Sequence, residues 1–195
     1  MLRTGDIILF NEYSNNCLFS HVEAAIRYFT NSPYSHVGIV IVDPPWAPKG
    51  TYIWDSSVHA HPDPQDNKIK YGIALVKLED YLENMDGKQQ LYKRSPIDPK
   101  VYERFTVEKM KKIHDAVYGA HYDFNVGHWL AGMLHMLIPR TTKQFFCSAF
   151  ASYVLTEVGI LAPDTDWTVV SPAMLSHHGK RLNWLEAYGP DEKFP

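Results

Sequence analysis

The chain has 195 residues, which is enough for one compact domain and short for two, so we expect a single domain over residues 1–195. Apolar residues make up 45% of the chain and charged residues 21%, a composition typical of a soluble globular protein. The net charge of −3 argues against a nucleic-acid partner, because phosphate binding needs a clustered excess of Lys and Arg.

The amino terminus and the cysteine content give an expectation about the compartment. The first six residues run straight into a predicted strand, without the apolar region of a signal peptide. The chain has two cysteines, Cys17 and Cys147, and so few thiols favour a reducing compartment in which they are free. We therefore expect a cytoplasmic protein.

The first half of the chain is predicted to form strands around one helix. Residues 7–10 (IILF) follow a Gly-Asp turn and form a first strand, and residues 19–29 have apolar positions at helical spacing. After an Asn-Ser-Pro break, residues 35–42 (SHVGIVIV) are rich in β-branched side chains, as in a central strand. A turn-rich loop, residues 43–50, leads to Thr51–Val58, the expected hairpin partner of that strand.

The second half turns from short strands to helices. We expect strands at residues 72–77 and 90–94, on either side of a short helix that begins near Leu78. Residues 102–117 have an amphipathic helical pattern, and residues 147–158 form a helix that a glycine closes. The expected fold class is α+β, with an antiparallel sheet packed against helices.

The most hydrophobic stretch of the chain, residues 129–138 (WLAGMLHMLI), has two interpretations. It is too short to span a bilayer, and a buried helix beneath the cysteine helix is the simpler account. The alternative is an exposed apolar face that makes peripheral contact with a membrane.

Cys147 is the first candidate for chemistry because it lies in the first turn of a predicted helix. Free backbone N–H groups and the positive end of the helix dipole favour a thiolate there, and the thiolate is the nucleophilic form of cysteine. The same N–H groups are placed to stabilise a developing oxyanion. The alternative is a small buried side chain that only fills the core.

A thiolate nucleophile needs a partner that takes up and returns protons, usually a histidine. His36 stands out among ten histidines because it opens an otherwise apolar strand, although a hydrogen-bonded histidine at a strand end is the common alternative. Asp55 lies in the neighbouring strand, where hairpin pairing brings it beside His36 to orient the imidazole. Because the hairpin register is not readable from the sequence, Ser56 or Ser57 is an alternative third residue.

One rival constellation involves a metal. His59 and His61 lie on the same face of a strand near Asp63, which is a pattern that metal sites use. The prolines Pro62 and Pro64 instead indicate an exposed loop, and we expect neither a metal nor an organic cofactor.

Three stretches taken together resemble one enzyme superfamily: residues 4–10 (TGDIILF), 32–40 (SPYSHVGIV) and 146–150 (FCSAF). In this order they are similar to the NlpC-type cysteine peptidases, and more closely to their circularly permuted branch. That branch holds the YiiX/YaeF-like permuted papain-fold amidases, which are related to the lecithin:retinol acyltransferases. Unpermuted members have the cysteine helix before the histidine strand, whereas here His36 comes first and Cys147 follows.

The resemblance covers most of the chain and implies a role for four residues. Further matching segments lie at residues 72–82, 122–124 and 170–172. By this resemblance Cys147 is the nucleophile, His36 is the general base and later the acid, and Asp55 is the polar third member. Tyr122 is expected near the nucleophile, where it helps to polarise the scissile carbonyl, with a packing aromatic as the alternative.

The implied fold is a circularly permuted papain-like domain, and the implied activity is that of a cysteine hydrolase or acyltransferase. It acts on an amide, ester or thioester bond through a covalent thioester, on a peptide, amide or lipid substrate. The alternative is an inactive binding module that keeps the same fold and cleft. The intact set of Cys147, His36 and Asp55 argues against that alternative. The sequence leaves the oligomeric state open.

Overall fold

The computed structural model describes residues 1–11, 24, 26–85, 89–123 and 142–194. Eight strands in these ranges form a sheet: β1 (Ile7–Phe10), β2 (His36–Val42), β3 (Thr51–Val58), β4 (Tyr71–Lys77), β5 (Leu91–Arg94), β6 (His121–Tyr122), β7 (Gln144–Phe145) and β8 (Glu192–Phe194). Their order across the sheet is β7-β6-β4-β3-β2-β1-β5-β8. Neighbouring strands are antiparallel except β6 and β7, which run parallel.

The predicted central hairpin is present. Strand β2 pairs with β3 in a register that places Val42 opposite Thr51 and Ile39 opposite Trp54. The loop between them closes through Asp43, whose φ is 48° and whose carboxylate accepts a 2.8 Å hydrogen bond from the Gly50 N–H. An Asp tolerates this left-handed conformation better than most residues, which explains its place at the turn.

Three α-helices lie entirely within the described ranges: α1 (Leu78–Asn84), α2 (Val107–Val117) and α3 (Cys147–Glu157). The helices α1 and α3 confirm the predicted short helix and the predicted cysteine helix. Residues 26–30 are also helical, in agreement with the end of the helix predicted at residues 19–29. The first five residues of that prediction, and residue 25, lie outside the described residues.

The single helix predicted at residues 102–117 is wrong, because the segment is divided in two. A 3₁₀ turn, Pro99–Arg104, is followed by an extended Thr106 with φ −67° and ψ 152°, and α2 begins only after it. The Thr106 hydroxyl accepts a hydrogen bond from the Lys109 N–H and caps α2. Thr106 is therefore an N-cap in the middle of the amphipathic pattern, and a new helix begins after it.

Alternation along the strands gives the sheet two buried faces. The larger core covers one face with α2 and α3, and its members include Ile39, Trp54, Leu75, Met110, Ile113, Phe150, Val154 and Leu155. A smaller core on Ile8, Phe10, Val40, Ile53 and Leu91 is covered by α1 through Leu78 and Tyr81. The first strand contributes to both cores, which explains why its four residues are all apolar and buried.

The tail of the chain is held to the sheet by Arg94 of β5. Its guanidinium donates hydrogen bonds to the backbone carbonyls of Leu175, Tyr188 and Gly189, at 2.5, 3.1 and 2.8 Å. The side chain of Arg94 is 6% exposed, so these bonds are shielded from water. The tail thus packs as an integral layer of the domain.

The architecture confirms the α+β class with a largely antiparallel sheet against helices. The hydrophobic segment at residues 129–138, with its two interpretations, and Cys17 lie outside the described residues. Within the described ranges, each helix falls short of the length and hydrophobicity needed to cross a bilayer.

Candidate active site

His36 is the first residue of β2 and lies opposite Phe10 of β1. Its imidazole packs edge-on against the Phe10 ring, with ring centroids 5.0 Å apart, and the residue is buried. Strand β2 pairs with β3 only from Ile39 onward, so at His36 the β1 neighbour alone is paired. The imidazole is thereby fixed in position by an aromatic contact on one side.

Asp55 supplies the partner of the imidazole, from the middle of β3. The Nε2 atom of His36 donates to Oδ2 of Asp55 at 2.5 Å, and the aspartate is 0% exposed. Of the serine alternatives, Ser56 has another partner, because its Oγ donates to the Phe145 carbonyl at 2.8 Å. Of the three polar residues considered for this place, Asp55 is the one bonded to His36.

A glycine between them allows this diagonal contact. A Cβ atom at Gly38 would lie 3.2 Å from Cβ of Asp55 and 2.4 Å from Cγ2 of Ile53. The second distance is far shorter than a van der Waals contact, so a side chain at position 38 would push β3 away. The glycine of the Ser-His-x-Gly pattern therefore has a packing role in the site.

Tyr81 of α1 is a site residue that the sequence reasoning missed. Its hydroxyl donates to Oδ2 of Asp55 at 2.9 Å, so this oxygen accepts from both Tyr81 and His36. The Tyr81 ring also lies 5.4 Å from the Phe10 ring, measured between centroids. The available signal was the apolar face of α1, which brings Tyr81 down onto the sheet.

Cys147 is the first residue of α3, and its thiol is free and buried. The thiol is in hydrogen-bond contact with the His36 side chain. Because Nε2 of His36 is bonded to Asp55, Nδ1 is the ring nitrogen left to face the sulfur. The structure thus aligns Cys147, His36 and Asp55 as the sequence predicted.

Electrostatics favour a protonated His36. Burial acts to lower the pKa of this imidazole, but negative charge on Cys147 and the hydrogen bond to Asp55 outweigh it and raise the pKa to about 10. At neutral pH the ring is therefore an imidazolium, and it lies between the Cys147 sulfur and the Asp55 carboxyl group. Asp55 holds the ring in this orientation, and the positively charged ring faces the Cys147 sulfur.

The start of α3 also offers hydrogen-bond donors next to the thiol. The first helical bond of α3 runs from the Phe150 N–H to the Phe146 carbonyl at 2.9 Å, so the N–H groups of Cys147 and the next two residues precede it. Phe146, the N-cap, makes no side-chain capping bond to them. These donors suit an oxyanion that forms beside the sulfur.

Tyr122 lies at the end of β6 and is half-buried. Its ring makes an edge-on contact with Phe146, the residue before Cys147, with centroids 6.0 Å apart. Strand β6 runs beside β7, which places Tyr122 opposite Phe145. Tyr122 is therefore next to the segment that carries the nucleophile, while its role in polarising a carbonyl stays a prediction.

The segment with the rival metal pattern is tightly packed. The exposed loop expected there is wrong for His59 and Asp63, which are 4% and 0% exposed. The Nε2 atom of His59 donates to the Gly72 carbonyl at 2.8 Å, and Asp63 accepts from Lys70 Nζ at 2.7 Å. Within the described part of the chain, no three His, Cys, Asp or Glu side chains are grouped to hold a metal ion.

The sequence matches no protein-family model, and no curated protein matches it.

Proposed function

We propose that this chain is a cysteine-dependent hydrolase or acyltransferase that acts on an amide, ester or thioester bond through a covalent thioester. One observation carries the proposal: Cys147, at the first turn of a helix, contacts a buried His36 that Asp55 orients. Burial of an imidazolium costs free energy unless nearby negative charge offsets that cost, and here the ring lies between a thiol and a carboxylate. Such constellations are typical of nucleophilic cysteine sites.

The reaction follows from these positions in two steps. The Cys147 thiolate attacks the carbonyl carbon, and the N–H groups at the start of α3 stabilise the oxyanion. The His36 imidazolium gives its proton to the leaving group as the carbon–heteroatom bond breaks and the thioester forms. Neutral His36 then takes a proton from water or another acceptor, which attacks the thioester and releases the Cys147 thiolate. These steps require no metal or organic cofactor.

We further infer a circularly permuted papain-like (NlpC-type) arrangement. Its support is the chain order, in which the histidine strand β2 precedes the cysteine helix α3, and the antiparallel pairing around β2 and β3. The mechanism needs a free thiol, which agrees with a reducing, cytoplasmic compartment. The substrate classes we propose are a peptide, another amide, or a lipid acyl group, with peripheral membrane contact in the lipid case.

Alkylation of Cys147 tests the proposal without a known substrate. In a Cys17→Ser background, we expect iodoacetamide to label Cys147 rapidly below pH 7, because the His36 imidazolium favours the thiolate. The change His36→Gln should slow labelling at pH 6.5 by about tenfold or more, since an ordinary thiol with a pKa of about 8.5 is mostly protonated there. Mass spectrometry after incubation with an aryl acetate should show an acetyl group on Cys147.

The control is His121→Ala, which removes an exposed imidazole from β6 and should leave the labelling rate unchanged. Slow labelling with an ordinary thiol pH profile, insensitive to His36→Gln, would instead support the inactive binding module. Absence of the acetyl adduct in a protein that labels rapidly would restrict the proposal to substrates unlike the aryl ester.

A further inference from the structure

A cavity of about 450 Å³ lies between the end of the first helical segment and the loop at residues 169–181. Its apolar lining includes Phe29, Val169 and Met174. The same cavity is lined by two cationic side chains, Lys180 and Arg181, together with a histidine. The wall is therefore amphiphilic, with an apolar part and a basic part.

Both walls of this cavity are connected to the proposed catalytic residues. The helical wall ends a few residues before β2, which begins with His36. The opposite wall is held by Ser148, the neighbour of Cys147, whose hydroxyl donates to the Val170 carbonyl at 2.6 Å. The cavity linings Val169 and Ser171 flank that carbonyl. The wall at Val169 and Ser171 is thus joined to the start of α3, the helix that carries Cys147.

The charges in the cavity are available to a ligand. Lys180 and Arg181 are exposed, and neither forms an ion pair with a carboxylate in the described part of the chain. Among the described residues that line the cavity there is no Asp or Glu. In contrast, Arg94 and Lys70 have carboxylate neighbours within 4 Å. Two cations without a carboxylate partner among the described residues, beside an apolar wall, complement an anion that carries a hydrocarbon chain.

We propose that this cavity binds an anionic group of the substrate, a carboxylate or a phosphate attached to an apolar chain. The inference rests on the proposed function in one respect, because it names the substrate class of the Cys147 site. Lys180 and Arg181 bind the anion, and Phe29, Val169 and Met174 contact the adjoining hydrocarbon. The shared chemistry is an acidic amphiphile, whether its charge is a carboxylate or a phosphate monoester.

Direct binding to an inactive protein tests the cavity separately from catalysis. Cys147→Ala protein is titrated at low salt with hexanoate, hexyl phosphate and neutral hexanamide, and the Met174 methyl resonance is followed by NMR. We expect at least one of the two anions to bind about tenfold or more tightly than hexanamide, since charge-assisted hydrogen bonds contribute that much. The stronger of the two anions identifies the carboxylate or the phosphate.

Two matched double variants make the test specific. Lys180→Ala with Arg181→Ala should abolish the preference for the anions, whereas Lys109→Ala with Lys112→Ala, on the exposed face of α2, should preserve it. All four side chains are exposed, so we expect both proteins to fold. Equal binding of the three probes, or a preference that survives removal of Lys180 and Arg181, would overturn the inference.

Turnover by the wild-type protein separates this inference from the proposed function. We expect an aryl ester with a terminal carboxylate to have a KM about tenfold lower than its neutral analogue, with similar kcat, and the KM difference to vanish without Lys180 and Arg181. Selective anion binding without turnover of either ester would support the cavity and count against the hydrolase. Turnover with equal KM values and no anion preference would support the hydrolase and count against the cavity as an anion site.

Discussion

The two carboxylate oxygens of Asp55 have unequal surroundings. Oδ2 accepts hydrogen bonds from His36 Nε2 and Tyr81 Oη, at 2.5 and 2.9 Å. Oδ1 is buried and has no hydrogen bond to any described residue, and His59 Nε2 lies 3.7 Å away while bonded elsewhere. The orientation of the carboxylate is therefore determined at Oδ2, which makes Tyr81 a positioning residue for the imidazole.

The change Tyr81→Phe tests this role. Loss of a hydrogen bond to a buried charged group costs about 1.5–3 kcal/mol, so we expect a lower free energy of unfolding in urea. Because Asp55 would orient His36 less well, alkylation of Cys147 at pH 6.5 should slow by about tenfold, which corresponds to about 1.4 kcal/mol.

The matched control is Tyr153→Phe, which removes a half-buried hydroxyl that makes no hydrogen bond within the described ranges. It should change neither quantity by more than a small amount. If Tyr81→Phe lowers stability while the alkylation rate and its pH profile stay at the wild-type values, Tyr81 is only a packing residue.

At this scale, three of the proposed catalytic residues were predictable and one supporting residue was not. The position of Cys147 in a helical first turn and of His36 in an apolar strand are local features of the sequence. Asp55 followed from the predicted hairpin, although the unknown hairpin register left two serines as alternatives. The apolar face of α1 indicates that Tyr81 packs on the sheet, but its contact with Asp55 depends on how α1 lies over the smaller core, which no local pattern encodes.

At the scale of elements, the hairpin of β2 and β3 brings the acid and the base together. The diagonal contact between His36 and Asp55 passes the position of Gly38, where an added Cβ would lie 2.4 Å from Ile53. Close approach of two strands at a glycine is a recurrent reason for glycine inside a strand. The packing of this strand pair and the geometry of the site are therefore coupled.

The change Gly38→Ala should disturb both together. Overpacking of this kind costs about 1–3 kcal/mol, so we expect a lower free energy of unfolding in urea. Displacement of β3 should also lengthen the contact of His36 with Asp55 and slow alkylation of Cys147 several-fold. Gly189→Ala is the control, because its added Cβ meets only the Ser95 carbonyl, at 3.5 Å. A Gly38→Ala protein with wild-type stability would contradict the packing argument.

Elements with a strong local pattern were predicted well, and competition between local signals caused the main error. The β-branched run of β2 and the turn residues after it defined the hairpin. The segment at residues 102–117 has one amphipathic pattern but belongs to two capped elements: Asp98 accepts from the Lys100 N–H at the start of the 3₁₀ turn, and Thr106 accepts from the Lys109 N–H at the start of α2. Side-chain caps of this kind decide where a helix begins.

At the scale of the whole molecule, the order of the strands in the sheet could not be predicted from the sequence. Strand β1 lies between β2 and β5, and β8, near the end of the chain, pairs with β5. These pairings join segments far apart in the chain and depend on side chains such as Arg94, whose three carbonyl partners all lie in the tail. A charged residue in a predicted strand gives no indication of such partners.

The raised pKa of His36 also makes the stability of the folded protein depend on pH. His36 has a raised pKa of about 10, against 6.5 for an unperturbed imidazole, so alone it stabilises the fold fully below pH 6.5 and loses that contribution as the pH rises to about 10.

The contribution of His36 should therefore decline as the pH rises from about 6.5 to about 10. The measurement is the free energy of unfolding in urea for the wild type minus that for His36→Gln, at pH 7, 8.5 and 10, so that other titrating groups cancel. A difference that stays constant from pH 7 to pH 10 would contradict the raised pKa of His36. In the Cys147→Ser protein we expect a lower pKa for His36, because the substitution removes the largest of the interactions that raise this pKa.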